Sequence, residues 1–467
     1  MVDSVFRNKK VLVLGLAKSG LSAAHLLKEL GARVIVNDKL ALEDNAEAQA
    51  LIEEGFQVIA GYHPENLLDA SFDFVVKNPG IPYTNPVVGQ AEKLAIPIIT
   101  EVDVAGSILK AKPIAVTGTN GKTTTVSLIY DILAQAQAEK PEPKPVYKLG
   151  NIGRPVSDLA LEIEAESDLV VELSSFQLQS LTYFTPHIAV ITNIYSAHLD
   201  YHKSREEYVR AKLKITKSQG PDDYLVYYQG QEELASLVKK HSKAQLVPYT
   251  DKGQVDKGAY IKDGYLIYQQ EPIMALDQVK VSGSHNFQNI LAAVCVAKIK
   301  GLSNQTIAQA VNHFKGVAHR SQVVGRYEDR LFVNDSKATN SLATQKALEA
   351  YDQDTILLVG GLDRQDDFTK LDHALDKVKG VVCFGQTQGK LAQYFKDRHI
   401  EDVELVQTVQ EAVEVAYDLS KPGQVILFSP ACASWDQYAN FEERGQDYVE
   451  AIQQLVERLE QRSKYGN

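Results

Sequence analysis

The sequence predicts an α/β protein with three domains, and three observations support that prediction. The chain has 467 residues, which is too long for one hydrophobic core at the usual size of roughly 100–200 residues per domain. Short β-branched runs alternate with segments of helical apolar spacing, the pattern of parallel sheets covered by helices. A glycine turn joins one of these strands to a helix near residue 120. We place the domains at residues 1–101, 102–316 and 317–467.

The composition argues against nucleic-acid and membrane partners. The net charge is −11 and no block of lysine and arginine is present, so the broad positive surface that binds nucleic acid is absent. The apolar run 11–16 is too short for a signal peptide, and no stretch reaches the roughly 18 apolar residues of a spanning helix. Cys295, Cys383 and Cys432 stand singly, which suits buried thiols in a reducing compartment. We expect a cytoplasmic monomer.

The first domain begins with a strand, a turn and a helix. Strand Lys10–Leu14 leads into the turn Gly15–Gly20, after which apolar residues recur at helical spacing. The turn imitates a dinucleotide-binding loop, with Asp38 after the next strand, but it lacks the middle glycine of G-x-G-x-x-G. We therefore expect the backbone at Leu16 and Ala17 to cradle another pyrophosphate, with Asp38 near a sugar or base. The other predicted strands here are Arg33–Val36, Phe74–Val76 and Ile96–Ile99.

A phosphate-binding loop opens the second domain. The run Thr117–Thr125 follows the strand residues Ile114–Val116 and precedes a helical segment. In such loops glycines let backbone amides surround a polyphosphate, a lysine reaches the outer phosphates and a hydroxyl holds Mg²⁺. The form G-T-N-G-K-T is shorter than G-x-x-x-x-G-K-[ST], and the alternative is a plain turn that caps the helix. The predicted nucleotide ligands are Gly118, Thr119, Asn120, Gly121, Lys122, Thr123 and Thr124.

The rest of the chain continues the alternation of strands and helices. The proline-rich segment 141–145 cannot be regular helix and is predicted as a loop. The predicted elements of the second domain are strands Asp168–Glu172 and Ile188–Asn193, a hairpin at Gly258–Gln269 and a helix at Asn286–Lys300. Those of the third domain are a hairpin at Gln322–Asn334, helices Ser341–Ala350 and Tyr448–Arg462, and strands Thr355–Val359, Val381–Phe384 and Val425–Phe428.

Polar residues stand where predicted strands end, at the edge of a doubly wound sheet where ligands bind. Glu172, His198 and Asp335 are such residues. A carboxylate and an imidazole near a phosphate loop suggest a site for Mg²⁺ or Mn²⁺, completed by Thr123. Each residue taken alone could be a solvent contact or a cap at a strand end, and their shared placement favours the metal site.

Six motifs together resemble the Mur ligase family. They are Gly118–Thr123, Glu172–Leu178, Asn193 with His198–Asp200, Gly283–Asn286, His319-Arg320 and Asn334–Asn340. Within the family, Glu172–Leu178, Asp335–Asn340 and Ser429–Ser434 are most similar to the members that add D-glutamate. The resemblance spans all three domains.

The resemblance implies both an architecture and a reaction. It implies an N-terminal Rossmann-like domain for a UDP-sugar, a central P-loop ATPase domain with a parallel sheet, and a C-terminal Rossmann-like domain for the amino acid. ATP would phosphorylate the terminal carboxylate of UDP-N-acetylmuramoyl-L-alanine, D-glutamate would attack the acyl phosphate, and phosphate would leave. This ligase reaction belongs to peptidoglycan precursor synthesis.

The resemblance also implies roles for individual residues. Lys122 and Thr123 would serve the γ-phosphate and the first Mg²⁺, while Glu172 and His198 would ligate metal near the transferring phosphoryl group. Adenine, phosphates and ribose would contact Asn286, Asn289, Arg320, Asp335 and Lys337. The UDP-sugar would contact Leu16, Ala17, Asp38, Asn151 and Ser174. D-Glutamate would contact Thr339, Arg364, Ser434 and Phe441.

Lys212 corresponds to a lysine that this family carbamylates to make a metal ligand. The alternative is a solvated helix lysine, although the neighbouring stripe of Val209, Leu213 and Thr216 could turn its stem inward. Carbamylation would change a cation into an anion suited to Mg²⁺.

The sequence departs from the family pattern at two positions. Better-known members have a lysine at the position of Arg364 and an aspartate at that of Ala197. Arginine can still bind a carboxylate through two donors. The alternative role of Ser434 is a helix N-cap, and that of Phe441 is core packing.

Other functions fit the sequence less well. A ligase that adds lysine or diaminopimelate would carry an Asp-x-x-Arg-Asn-Pro type motif, and a folylpolyglutamate synthase would lack a matching N-terminal domain. A GTP switch would need an Asn-Lys-x-Asp motif to recognise guanine. A nicotinamide dehydrogenase would give Lys122 no role, and a kinase would leave phosphate on its product.

Overall fold

The computed structural model describes residues 4–195, 199–281 and 284–465. The chain divides into two compact units, Met1–Phe314 and Lys315–Asn467. Within the described ranges three sheets form, two in the first unit and one in the second. The α/β class is confirmed, whereas the boundary expected near Glu101 falls inside the first unit and stays a prediction.

The first sheet has five strands among the described residues, all of them parallel. They are β1 (Lys10–Leu14), β2 (Arg33–Asp38), β3 (Gln57–Ala60), β4 (Phe74–Lys77) and β5 (Ile98–Ile99). Its helices are α1 (Lys18–Glu29), α2 (Ala46–Glu53), α3 (Pro86–Lys93) and α4 (Glu101–Gly106). The spatial order β3-β2-β1-β4-β5 changes direction between β1 and β4. The carboxyl ends of those two strands are therefore the switch point where such sheets bind ligands.

The second sheet has nine strands in the part of the chain that is described. They are β6 (Ile114–Thr117), β7 (Val146–Gly150), β8 (Asp168–Glu172), β9 (Ile188–Ile191), β10 (Tyr224–Tyr228), β11 (Gln245–Thr250), β12 (Ala259–Lys262), β13 (Tyr265–Tyr268) and β14 (Glu271–Ala275), in the order β14-β13-β12-β11-β10-β9-β6-β8-β7. Strands β6, β8 and β9 are buried along their whole length, which explains their continuous apolar runs.

Helices alternate with the strands of the second sheet. They are α5 (Lys122–Ala138), α6 (Ser175–Leu178), α7 (Leu199–His202), α8 (Arg205–Leu213), α9 (Glu232–His241), α10 (Ser284–Ile299) and α11 (Asn304–His313). Helix α5 packs against α10 and α11. The predicted hairpin is confirmed as β12 and β13, with positive φ at both Asp263 and Gly264, as a tight two-residue turn requires.

The second unit contains one sheet of six strands among its described residues. They are β15 (Gln322–Tyr327), β16 (Arg330–Asn334), β17 (Thr355–Gly360), β18 (Val378–Phe384), β19 (Asp402–Leu405) and β20 (Val425–Ala431), in the order β15-β16-β20-β17-β18-β19. Its helices are α12 (Ser341–Leu348), α13 (Gln388–Lys396), α14 (Val409–Leu419) and α15 (Phe441–Tyr465). The hairpin of β15 and β16 is antiparallel, as predicted.

The last helix begins earlier than predicted, at Phe441 instead of Tyr448. Glycine has a low helix propensity, so Gly445 argues against a helix in the sequence. The structure nevertheless needs glycine there, because a Cβ at this position would lie 2.2 Å from Nδ1 of His319. The fully buried Arg444 donates to the carbonyl oxygens of Ser336 and Cys432 at 2.8 and 3.0 Å. Tertiary packing therefore extends this helix against its local propensity.

The structure bears on two further expectations, one about the cysteines and one about membrane-spanning helices. Cys295, Cys383 and Cys432 are all free and buried, as predicted. None of the described helices is both long and apolar enough to span a bilayer.

Candidate active site

The phosphate loop connects β6 to α5, and its two glycines are required by close packing. Gly118 has φ +149°, and a Cβ there would lie 1.8 Å from Oγ1 of Thr192. Gly121 has φ +82°, and a Cβ there would lie 2.3 Å from Oδ1 of Asn289. Any larger residue would be strained and would also collide, so the loop needs glycine at both positions.

The end of β9 holds the phosphate loop in place. Asn193 accepts a hydrogen bond from the backbone amide of Asn120 through Oδ1 at 2.9 Å, and its carbonyl accepts from the amide of Thr119 at 2.9 Å. The hydroxyl of Thr192 donates to the carbonyl of Asn120 at 2.6 Å. Thr192 was not predicted as a site residue, because its partner Asn120 lies 72 residues away along the chain.

Lys122, the first residue of α5, folds back over this loop. Its Nζ donates to the carbonyl oxygens of Gly118 and Thr119, both at 2.9 Å. Thr124 is buried in the first turn of the helix. The loop amides, the helix N-terminus and the lysine form an arrangement that suits a polyphosphate.

A buried carboxylate lies beside the loop. Glu172, at the end of β8, is 3% exposed. Its Oε2 accepts from the hydroxyl of Thr123 at 2.8 Å, and its Oε1 accepts from Nδ2 of Asn151 at 2.9 Å. The structure thus brings together three of the predicted residues, and a hydroxyl in contact with a carboxylate is a donor pair that suits Mg²⁺.

Lys212 points into the site instead of into solvent. It lies on α8 and is 1% exposed. Its Nζ donates to the carbonyl of Gly118 at 2.7 Å and to Oγ1 of Thr117 at 3.3 Å. Burial, followed by the nearby charge of Lys122, lowers the pKa of Lys212 well below its usual value. The alternative of a solvated helix lysine is therefore wrong.

The predicted metal ligand His198 and the departure Ala197 lie outside the described residues. Among the residues that are described, no cluster of three histidine, cysteine, aspartate or glutamate side chains could hold a metal ion. The oxygen donors beside the phosphate loop are the hydroxyl of Thr123 and the carboxylate of Glu172.

Helix α10 carries both predicted amides, and that of Asn289 contacts helix α5. Asn289 is buried, and its Oδ1 accepts from the hydroxyl of Thr125 at 3.3 Å. Asn286 lies one turn earlier and is half-buried. Both residues are on the helix that packs against α5.

Ser174 has a structural contact of its own. It is the N-cap of α6, where its hydroxyl accepts from the amide of Gln177 at 3.3 Å and the Gln177 side chain accepts from the Ser174 amide at 2.9 Å. This reciprocal pair is a capping box, which fixes the short helix after the Glu172 strand. A contact of Ser174 with substrate stays a prediction.

In the first sheet the predicted cradle is braced by Asp38. Its Oδ2 accepts from the amide of Leu16 at 2.7 Å, and its Oδ1 accepts from the amide of Leu40 at 2.8 Å. Ala17 is the N-cap residue of α1, without a side-chain hydrogen bond. Asp38 therefore shapes the turn after β1, and its proximity to a sugar or base stays a prediction.

In the second unit, Asp335 follows β16 and is 6% exposed. Its carboxylate accepts from the amide of Ser321 and the hydroxyl of Ser429, each at 3.0 Å. Burial raises the pKa of Asp335 to about 6, while the charge of the half-buried Arg320 acts in the opposite direction. The structure brings these two predicted residues together.

Two of the remaining predicted residues of this unit, Lys337 and Arg364, lie over aromatic rings. Nζ of Lys337 lies 4.8 Å from the ring centre of Phe441, which begins α15. The guanidinium of Arg364 lies 4.5 Å from the ring of Trp435. Trp435 is 63% exposed and was not predicted.

Ser434 and Thr339 differ in their exposure. Ser434, next to Trp435, is buried, and its carbonyl accepts from the amides of Gln437 and Tyr438. Thr339 is half-buried and follows the Asp335 segment. Both lie in the second unit with Arg364 and Phe441, as expected for residues of one domain.

Three family models match the chain. The Mur ligase MurD-like N-terminal domain matches residues 9–100, the Mur ligase middle domain matches residues 116–297, and the Mur ligase glutamate ligase domain matches residues 319–432.

Several named proteins and solved structures align with nearly the whole length of this chain. A protein of Enterococcus faecalis named UDP-N-acetylmuramoylalanine--D-glutamate ligase is 50% identical, covering 97% of this chain and 98% of its own. A protein of the same name from Listeria monocytogenes is 48% identical, covering 98% and 99%. The crystal structure of MurF ligase from Thermotoga maritima in complex with ADP is 17% identical and aligns with a TM-score of 0.54 over 96% of this chain and 97% of its own, which shows a shared fold. The sequence, the phosphate loop and these relatives together show that the chain belongs to the Mur ligase family.

Proposed function

We propose that this chain joins D-glutamate to UDP-N-acetylmuramoyl-L-alanine and converts ATP to ADP and phosphate. The observation that carries the proposal is the buried pair of Thr123 and Glu172 beside a complete phosphate loop. The relatives that are about half identical along the full chain carry the name of this activity. Peptidoglycan precursor synthesis is the process to which the reaction belongs.

The proposed reaction has two steps. A carboxylate oxygen of UDP-N-acetylmuramoyl-L-alanine attacks the γ-phosphorus of ATP, an acyl phosphate forms, and ADP leaves. The amine of D-glutamate then attacks the acyl carbon, the bond to the phosphate oxygen breaks, and the nitrogen loses a proton. Lys122 and the amides of the phosphate loop would stabilise charge on the transferring group, because they are fixed before the reaction begins.

The donor set beside the loop fits a divalent cation. Thr123 and Glu172 would hold Mg²⁺ or Mn²⁺, with His198 and a modified Lys212 as further ligands. A metal held there would supply positive charge that neutralises the phosphate oxygens. Asn151 would keep Glu172 oriented through its bond to Oε1.

Lys212 would act as a carbamate. The neutral amine would attack carbon dioxide, form a C–N bond and release a proton, leaving an anion in place of the ammonium. The lowered pKa of Lys212 favours the neutral amine that this step needs, and burial protects the product from exchange with water.

The other predicted contacts complete the proposal. The nucleotide would lie against Asn286, Asn289, Arg320, Asp335 and Lys337, and the UDP-sugar against Leu16, Ala17, Asp38, Asn151 and Ser174. D-Glutamate would lie against Thr339, Arg364, Ser434 and Phe441. We further propose a monomer in the cytoplasm, and the three free, buried cysteines suit a reducing compartment.

Phosphate release tests the function directly. With UDP-N-acetylmuramoyl-L-alanine, ATP and Mg²⁺ present, we expect sustained release of ADP and phosphate only after D-glutamate is added. L-Glutamate in the same assay is the matched control and should not support turnover. Equal turnover with either enantiomer, or a stable phosphorylated product, would contradict the proposal.

A further inference from the structure

Lys77 is a fully buried lysine to which the proposed mechanism gives no role. It ends β4, and its Nζ donates to the carbonyl oxygens of Asn78, Pro79 and Ile81 at 3.2, 3.3 and 2.7 Å. Within the described ranges no carboxylate pairs with it. Burial lowers the pKa of Lys77 to about 7. A buried amine without a counter-ion is costly, so its contacts need an explanation.

The carbonyl oxygens that Lys77 binds belong to a loop at the switch point of the first sheet. We call residues 78–81 the β4 loop. It packs on the turn after β1, because a Cβ at Gly15 would lie 2.8 Å from Cδ1 of Ile81 and 3.0 Å from Cβ of Asn78. Nδ2 of Asn78 also donates to the hydroxyl of Ser19 at 3.1 Å. The β4 loop and the turn thus form one wall of the site proposed for the UDP-sugar.

Tyr201 joins this loop to the second sheet. It lies on α7, three residues after His198, and its hydroxyl lies 3.0 Å from Nζ of Lys77. The same hydroxyl lies 3.1 and 3.0 Å from the carbonyl oxygens of Pro79 and Ile81. Lysine and tyrosine therefore satisfy the inward carbonyl groups of the β4 loop together.

A series of aromatic contacts continues from Tyr201 to the phosphate loop. Its ring lies 4.4 Å from that of Phe176, which stacks on His202 at 5.5 Å. His202 lies 5.4 Å from the ring of Tyr208, whose hydroxyl is 2.8 Å from Oγ1 of Thr119. Packed side chains thus connect the β4 loop to the phosphate loop without a gap.

We propose that Lys77 and Tyr201 are positioning residues, which hold the β4 loop in the shape that binds the UDP-sugar. The inference rests on the proposed function, because it takes the UDP-sugar as the ligand of the first sheet. Neither residue touches a reacting atom. Without the amine, the single hydroxyl hydrogen of Tyr201 could serve only one of the carbonyl groups of Pro79 and Ile81, and the β4 loop would relax to bring the other to water. Affinity for the UDP-sugar should fall before that for ATP or D-glutamate.

Four variants test the inference. Lys77→Met keeps length and removes the donors, Tyr201→Phe removes one oxygen and keeps the ring, and the third variant combines both. Lys298→Met is the matched control, since Lys298 is also shielded and lies 5.8 Å from the ring of Tyr268, away from the site. Phosphate release gives kcat and the KM of each substrate, and thermal unfolding shows whether each variant is folded.

Lys77→Met should raise the KM for the UDP-sugar at least about tenfold and leave the KM values for ATP and D-glutamate within about twofold. Tyr201→Phe should raise the same KM by a smaller factor. The double variant should be no worse than Lys77→Met, because both act on one loop. Lys298→Met should match the wild type.

A folded Lys77→Met with an unchanged KM for the UDP-sugar would overturn the inference. Equal increases in all three KM values, or strictly additive effects in the double variant, would also overturn it. If Lys77→Met does not fold, Tyr201→Phe decides by the same KM comparison. A wild type without D-glutamate-dependent phosphate release would instead overturn the proposed function, so the two failures are distinguishable.

Discussion

Lys122 and Lys212 donate to the same carbonyl oxygen, that of Gly118, at 2.9 and 2.7 Å. Two ammonium groups so close together repel each other in a buried site. A neutral or carbamylated Lys212 relieves that repulsion, and so does a move of Lys122 onto a phosphate. The loop is therefore electrostatically prepared both for an anionic ligand and for modification of Lys212.

Lys212→Ala should lower turnover by roughly a hundredfold or more, because it removes an anion that would hold the metal. A short carboxylic acid, which places a carboxylate in the vacated space, should restore part of the activity. The control Lys217→Ala changes an exposed lysine four residues beyond the end of α8 and should leave turnover unchanged. Full activity of Lys212→Ala without added acid would exclude the carbamate.

Arg364→Ala should raise the KM for D-glutamate by roughly tenfold to a hundredfold, because a charge-assisted hydrogen bond to a carboxylate is lost. The KM values for ATP and the UDP-sugar should stay within a few fold. Arg364→Lys should recover part of the loss, since the charge returns without the planar fork. The exposed Arg326, which pairs with Asp329, provides the control Arg326→Ala. An effect of Arg364→Ala on ATP alone would assign this arginine to the nucleotide.

At the scale of the element, helix α5 depends on a left-handed residue at its start. Gly121→Ala should greatly weaken ATP binding, because the backbone there costs an L-residue about 1–3 kcal/mol and the methyl group would meet Asn289. Gly89→Ala is the control. It lies inside α3 with no atom within 4 Å of the added methyl, and should stabilise the protein by about 1 kcal/mol. Calorimetric titration measures the ATP affinity of each variant, and thermal unfolding measures its stability. An ATP affinity of Gly121→Ala equal to that of the wild type would contradict the role of Gly121.

Helix α4 is held by buried carboxylates. Oε1 of Glu101 accepts from the amide of Ser157 at 2.6 Å. Oδ1 of Asp103 accepts from the amides of Thr182, Tyr183 and Phe184. Burial raises the pKa of Glu101 to about 7.

The raised pKa of Glu101 predicts a pH effect on stability. The folded state binds an extra proton between the ordinary carboxyl pKa and about 7, so the free energy of unfolding should fall as pH rises through that window. The contribution of this group is about 3 kcal/mol at most. Urea unfolding at several pH values measures this dependence. The fall in stability due to Glu101 should be missing in Glu101→Gln, whereas the variant at the exposed Glu142, Glu142→Gln, should retain it. An unchanged pH dependence in Glu101→Gln would contradict the prediction.

The elements that could be predicted from sequence are those whose cause is local. Strand Asp168–Glu172 was predicted with its final bounds, because a buried parallel strand is a short apolar run in any context. The start of α15 was not, because it depends on His319 and Ser336 packing around Gly445 and Arg444. For the same reason the sequence left the direction of Lys212 open and gave no sign of Lys77: each is buried by residues distant along the chain.

At the scale of the whole molecule, the second unit has the features of an independent domain. Two clusters of buried apolar residues, one containing Leu357 and the other Phe428, belong to its single sheet. Because those contacts are internal to the unit, its stability should not depend on the rest of the chain.

A fragment of residues 315–467 should therefore fold alone and unfold cooperatively in urea, monitored by circular dichroism. The control is a fragment that ends at residue 424. It lacks β20, which lies between β16 and β17, so the sheet cannot close around its centre. Cooperative unfolding should appear only in the longer fragment, and its absence there would show that the second unit depends on the first.

The stacking of Arg364 on Trp435 has a spectroscopic consequence. The sequence contains a single tryptophan, so indole emission from the whole protein originates from one place, 4.5 Å from a guanidinium proposed to hold D-glutamate. Movement of that cation toward a ligand carboxylate changes the electric field on the ring, and the emission changes with it. If Arg364 holds D-glutamate as proposed, the emission of Trp435 therefore reports the binding of the amino acid without a label and without turnover.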